Sequence, residues 1–274
     1  MSEEPTMTRF HFLGKNLFKN IALFPAFFGI LAGPLRAAPE DVALYPNDGW
    51  VWRFAPILGP QQYDGTVRVE SLRGDASSSL ADIADRATFQ MAFLVDGHGE
   101  RMGVFFDLSY IALNADYNDG TRVGNLSASL LSVDTLGSIG FGPWEMGTTS
   151  SGFELLGGGR WNQFNADIDT KNAGSADSSR GWVDPVVGGR ITTNFDFPLR
   201  VEVRSDWGGF SVGSATDLTW RFFGMAHYKV DPALELFGGY RITDIKSQHQ
   251  NGDRGTALDG RMSGPVIGIT FLIG

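Results

Sequence analysis

Side chains able to do chemistry are few in this chain, and their spacing argues against a catalyst. There is no cysteine, which removes disulfides, zinc–thiolate centres and cysteine nucleophiles. Beyond the N-terminal segment the histidines are His98, His227 and His249. His98 falls in "GHGER", a predicted short turn. His249 falls in a polar loop with Asp253 and Asp259 nearby, and His227 stands on a predicted strand beside Lys229. A hydrolase needs a Ser–His–acid set or a His–acid pair held together, and no such motif is present. "NADYNDG" gathers Asp116, Asn118 and Asp119. Its spacing is incomplete for a calcium loop, and the closing glutamate is missing. The expectation is no enzyme, no metal and no cofactor.

Charge is organised by parity instead. In "LRVEVRSDWGGF", Leu199, Val201, Val203 and Trp207 share one parity, and Arg200, Glu202, Arg204 and Asp206 share the other. A strand built this way has one apolar face and one ionised face. "DLTWRFFGMAHYKV" repeats the pattern: Leu218, Trp220, Phe222 and Tyr228 alternate with Asp217, Arg221, His227 and Lys229. In "LELFGGYRIT", Leu234, Leu236, Tyr240 and Ile242 alternate with Glu235 and Arg241; later Pro265, Ile267, Ile269 and Phe271 share a face. A soluble sandwich alternates too. Repeated Trp and Tyr on the apolar parity (Trp50, Trp207, Trp220, Tyr228) have the look of membrane-interface girdles.

The elements that must carry this pattern are strands. Gly numbers 36, aromatics make 12% and charged residues 19% of 274, a balance that favours sheets and turns. Strands are expected from Trp50 through Phe271, with a short helix at "SSSLADIADRA", Ser77–Ala87, where Leu80, Ile83 and Ala84 follow helical spacing. Arg122–Glu145 reads either as one bent strand or as a hairpin turning near "DTLG". Asp169–Gly181 and Gln248–Asp259 read as long polar loops, against short "FDFP" and "VDPA" turns. That alternation of loop lengths is the habit of outer-membrane barrels.

The N-terminus has the three parts of a secretory signal. Arg9, Lys15 and Lys19 precede the apolar run "IALFPAFFGILA", Ile21–Ala32, and "GPLRA" ends at Ala37. Residues 1–37 are expected to be the signal peptide and 38–274 one barrel domain. The segment carries +2 of the net −9, leaving −11 on the remainder, which disfavours a nucleic-acid partner. After Ala37 no apolar run is long enough for a membrane helix. A spanning chain of this kind must close as a barrel.

"WRFAPIL", "DGTVRVE", "WVDPVVGGRI", "DWGGFSVGSATDLTW", "FGGYRITDI" and "LDGRMSGPVIGITF" together resemble a widespread, poorly characterised family of Gram-negative outer-membrane β-barrel proteins. The similarity runs from about Trp50 to Phe271 and is densest after Trp182; "SSSLADIADRA" also matches it. The resemblance implies a fold and a location, not an activity. Barrels of this kind usually end on an aromatic residue read by the assembly machinery. Here Phe271 precedes Leu272, Ile273 and Gly274. No motif resembles those of the lipid A deacylase, phospholipase or protease barrels.

The sequence therefore predicts an exported all-β, transmembrane, antiparallel up-and-down barrel of twelve strands, with ten and then eight as the next choices. Its partners would be membrane lipid, lipopolysaccharide and the assembly machinery. Its lumen would hold Arg160, Asp184, Arg190, Arg200, Glu202, Arg204, Asp206, Asp217, Arg221, Glu235 and Arg241, with Glu154 and Lys229. Those charges either pair and pack the interior or line a water-filled path and set its selectivity. Gly208, Gly209 and Gly213 are expected to serve a tight bend. The functional expectation is a porin-like passive channel; the alternative is a non-conducting structural or surface-interaction barrel.

Overall fold

A strand with one apolar and one charged face is stable only if each face meets a matching medium. In the computed structural model the chain solves this by closing into a ring. The structure describes residues 49–69, 72–78, 89–118, 123–170, 174–212, 217–249 and 256–274. The strands are β1 (Val51–Pro60), β2 (Gln62–Val69), β3 (Leu72–Ser78), β4 (Phe89–His98), β5 (Met102–Asn118), β6 (Val123–Met146), β7 (Thr149–Thr170), β8 (Gly174–Phe195), β9 (Leu199–Gly209), β10 (Leu218–Asp231), β11 (Leu234–His249) and β12 (Thr256–Ile273).

Every pairing is antiparallel, and β1 pairs with both β4 and β12, which closes the sheet. Twelve strand segments occupy only ten places around the ring. Trp52 faces Ile273, Leu58 faces Ile267, Gln62 faces Ser263 and Val69 faces Thr256. The register along β12 never slips across Gln61, so β1 and β2 are one line of wall. On the other side of that line β1 pairs β4 and β2 pairs β3, so β3 extends the line of β4. The expected twelve strands are corrected to a ten-place ring, because two pairs of segments share a line.

Of the two readings open for Arg122–Glu145 the single strand holds: Val123–Met146 is one strand of 24 residues, and Asp134 of "DTLG" sits mid-strand opposite Asp107 and Arg160. Two loop expectations change. Asp169–Gly181 is not a long loop, because β7 runs to Thr170 and β8 starts at Gly174. The Gln248–Asp259 loop is likewise shortened by β11 and β12. The helix expected at Ser77–Ala87 lies outside the described residues, apart from Ser77 and Ser78 at the end of β3. The signal segment lies outside them too.

Both ends of the described chain and the turns after β4, β6, β8 and β10 gather at one end, called here the near end. At the far end the strands are uneven. β9 stops at Gly209, opposite Leu218, and β8 pairs β9 no higher than Val186. β5 likewise pairs β4 no higher than Ala112. Among the described residues, the wall above those points is two facing sheets, β5–β8 and β11–β12–β2–β3. Where the chain leaves β9, Gly209, Phe210 and Ser211 all have positive φ, at 94°, 57° and 53°; Gly213 lies outside the described residues. Glycine suits that region, and Phe and Ser rarely occupy it.

Candidate functional site

The two faces of the wall change polarity partway up. On β7 the outward residues are Phe153, Leu155 and Trp161, then Gln163, Asn165, Asp167 and Asp169. The inward residues of the same strand are Glu154 and Arg160, then Phe164, Ala166 and Ile168. β8 inverts at the same height: Val187 and Val183 point outward below, Ser179, Asp177 and Ser175 above. Parity is constant, and only the sign of polarity switches. The lower part is therefore apolar outside and charged inside, and the upper part is apolar inside and polar outside.

The lower exterior is a belt without charge. On β6 it spans Leu131 to Phe141, about ten steps of roughly 3.3 Å. At a tilt near 40° that rises about 25 Å, the height of a lipid-facing band. Among the described residues no outward side chain in this belt is Asp, Glu, Lys or Arg. Tyr110, Trp161, Trp207, Trp220 and Tyr240 all lie on it, and Trp207 directly faces Trp220. One Arg at mid-height would cost roughly 2–4 kcal/mol, which is what holds the charged parity inward.

Inside, the side chains form four layers. β7 shows the order from the near end: Glu154, Leu156, Arg160, Phe164. β11 repeats it with Glu235, Phe237, Arg241 and Ile245. The near ionic layer holds Asp96, His98, Glu154, Arg190, Arg200, Glu202, His227, Glu235 and Arg53. Arg190 donates from Nε to Glu154 at 2.5 Å and from Nη1 to Asp96 at 2.9 Å, and also touches His98. Arg200 donates to Glu235 at 2.6 Å and to Glu202 at 3.1 Å.

Above it lies an apolar layer that includes Ile57, Leu94, Phe105, Leu136, Leu156, Val186, Phe223 and Phe237. The central ionic layer follows. Asp134 accepts from Arg160 at 2.6 Å and from Arg221 at 3.0 Å, and Arg204 stands 3.4 Å away. Asp206 accepts from Arg160 at 2.5 Å and pairs with Arg204 at 2.9 Å. Arg241 meets Asp107 at 3.3 Å. Asn162 and the Trp182 indole both donate to Asp184. Arg204 lies 4.0 Å over the Phe105 ring and Arg241 4.2 Å over Phe223, so the apolar layer also receives the cations' faces. The top layer is a second apolar cluster built from both facing sheets, including Phe164, Ile168 and Trp182 against Tyr63, Ile245 and Leu258.

Lys229, near the end of β10, is only half-buried, but eleven of the thirteen charges expected inside the lumen are buried: Glu154, Arg160, Asp184, Arg190, Arg200, Glu202, Arg204, Asp206, Arg221, Glu235 and Arg241. Asp217 is not; it is exposed just before β10, where Ser211 donates to it. Its parity fits, but the strand begins one residue later. Asp96, Asp107, Asp134, Arg53 and His98 were missed. His98 is the last residue of β4 and points inward, with ring nitrogens 2.6 Å from Asp96 and 3.1 Å from Glu154. The parity of "FLVDGH" was the signal that could have placed it.

A closed antiparallel barrel with a charge-free exterior belt is the class these features define. No protein-family model matches the chain, and no curated protein does. Among solved structures it is similar to the outer membrane protease OmpT from Escherichia coli, with TM-score 0.42 and 8% identity over 85% of this chain and 99% of that one. It is similar to the transport unit of the autotransporter AIDA-I from Escherichia coli, with TM-score 0.42 and 12% identity over 92% and 96%. The translocator domain of the autotransporter NalP from Neisseria meningitidis has TM-score 0.37 and 11% identity over 94% and 97%.

Proposed function

We propose that this protein is an integral outer-membrane barrel with a sealed lumen, acting through its external surface and its hold on the membrane rather than by passing solutes. The near end, with both ends of the described chain and the short turns, would face the periplasm. The carrying observation is the central layer: Asp134, Asp206 and Asp107 each meet an arginine within hydrogen-bonding distance, and Arg160, Arg204, Arg221 and Arg241 are all at most 2% exposed. Charges that line a water path keep their hydration; these have exchanged it for each other. Two apolar layers cross the same bore. Two cavities in the near part of the lumen each have room for about one water molecule, near 10 Å³.

The external part supports the surface role. Above the belt the wall presents polar residues on two sheets, and among the described residues β8 has no strand paired on its β9 side from Gly174 to Pro185. A porin-like channel is the other reading, and one experiment separates the two. The chain from Ala38 is refolded, shown to be inserted, and held in a planar bilayer. A silent bilayer is the expected result. Steady conductance steps whose ion selectivity shifts with Arg204→Gln would replace this proposal with the channel.

A further inference from the structure

Above the belt β8 is a sheet edge. β7 pairs it along its whole length, from Thr149 opposite Phe195 to Thr170 opposite Gly174. Among the described residues no strand pairs its other side from Gly174 to Pro185. At about 3.3 Å per residue that edge is roughly 40 Å long. β9 stops at Gly209, and the chain leaves its line through the positive φ of Gly209, Phe210 and Ser211. Arg180 donates to Ser247 of β11 at 3.2 Å and lies 5.1 Å over the Trp182 ring. The seam between the two facing sheets is therefore bridged behind the edge.

An open edge can template any extended chain, and the charge beside this one selects its occupant. Asp177 on the edge strand is exposed and faces Asp167 of β7, with Asp169 two residues further on. Among the described residues, the outward positions of β6, β7 and β8 above the belt carry no Lys or Arg. The outward face of β11 and β12 instead balances its charge, with Arg261 donating to Asp244 at 2.9 Å. Partial burial and the neighbouring Asp169 and Asp177 carboxylates hold the Asp167 pKa above the ordinary carboxylate value, so a cation placed there relieves a repulsion. On the inward parity the edge offers Ala176 and Trp182, both buried in the upper apolar cluster. We infer that the outer part of β8 is a docking edge for an extended segment of a partner polypeptide, added antiparallel in the line of β9, with Lys or Arg on its outward positions and apolar residues on its inward ones. The inference rests on the surface role proposed above. A second copy in the same membrane does not fit. Its β8 would run parallel to this one, and its wet face would continue the other's core face.

The chain has no cysteine, so one introduced thiol is a unique reporter. The probe is a synthetic peptide of alternating Lys and Val, as long as the edge, with one central Lys replaced by Cys. The protein is held in nanodiscs of uncharged phosphatidylcholine. Disulfide capture is followed at two exposed serines, each rate divided by that of a small neutral disulfide. Ser179 lies on the edge, and Ser127 lies on β6 with a strand paired on each side. Capture at Ser179→Cys is expected to be about ten-fold faster than at Ser127→Cys, because only an open edge can hydrogen-bond the peptide backbone. A Glu–Val counterpart should be captured at neither. Adding Asp177→Asn should weaken capture by about two- to five-fold, the size of one cross-strand charge pair. Equal capture at the two serines would overturn the inference, because charge alone would then hold the peptide. So would no capture at Ser179→Cys, or a Glu–Val peptide captured as fast as the Lys–Val one. Ser179→Cys protein that links to itself in place of the peptide would put a second copy on the edge and overturn it too. The bilayer experiment reads the lumen separately. Conductance with capture removes the sealed barrel and keeps the edge, and silence without capture does the reverse.

Discussion

Arg160 joins two carboxylates on different strands: its Nε lies 2.6 Å from Asp134 of β6 and its Nη2 lies 2.5 Å from Asp206 of β9. All three side chains are inaccessible to solvent. Removing one partner would strand a charge in a low-dielectric interior, where the penalty is about 3–5 kcal/mol. Asp134→Ala leaves Arg160 and Arg221 short of an acceptor, so it should destabilise the barrel by that amount. By contrast, the Arg261–Asp244 pair is at the surface, with the Arg261 side chain 59% exposed, and Arg261→Gln should change stability by less than about 1 kcal/mol. Urea unfolding of both variants in micelles measures the difference, and equal losses would contradict the burial argument.

The change of exterior polarity predicts where a new charge is tolerated. Val187 lies in the belt and Ser175 lies above it on the same parity of β8. Val187→Arg should cost roughly 2–4 kcal/mol of folding free energy in a bilayer. Ser175→Arg should be close to neutral. Comparable insertion yields for the two variants would mean that the belt has been placed at the wrong height.

Above the belt the inside is an ordinary hydrophobic core, and it should respond as one. Phe164 is 3% exposed within the upper cluster. Phe164→Ala should lower stability by about 3–5 kcal/mol, through lost burial and the cavity left behind. Leaving the bilayer silent after this substitution is also expected, because the lower apolar layer still crosses the bore. Conductance appearing in Phe164→Ala would show that the upper cluster alone closes the lumen.

Two glycines on opposite faces give a steric test. A Cβ on Gly268, pointing inward, would lie 2.3 Å from the Phe237 ring and 2.4 Å from the Pro56 carbonyl oxygen. On Gly137, pointing outward, the nearest atom would be 4.0 Å away. Gly137→Ala should assemble normally, whereas Gly268→Ala should reduce the folded, heat-modifiable fraction. The reverse order would mean that Phe237 turns aside freely and that the near apolar layer is loosely packed.

Much of this architecture is legible without coordinates, because a strand's side chains alternate with a period of two and lipid tolerates no charge on one of those faces. Arg200, Glu202, Arg204 and Asp206 are assigned inward by that rule alone, and Val201, Val203 and Trp207 outward. Where the rule misled, a local signal resembled something else. "DTLG" has turn residues, which left a hairpin open beside the single strand that β5 and β7 pair on both sides, and so Asp134 was not assigned inward. The polar run after Ile168 reads as a loop, because above the belt the outward face is wet and the inward face carries mostly short side chains, with Arg180 among them reaching Ser247.

The sequence by itself determined the class of element, the parity of the charged face and the belt's freedom from charge, since each is a property of one strand and its solvent. Ring size, the inversion of polarity at a common height and the pairing of specific charges were decided only by the tertiary structure. Ten places close the ring because β12 runs in one register along β1 and β2, and no single strand carries that information. Whether Arg204 meets a carboxylate or water likewise depends on strands far apart in the chain, Asp134 on one side of the bore and Asp206 beside it, brought together when the sheet closes on itself.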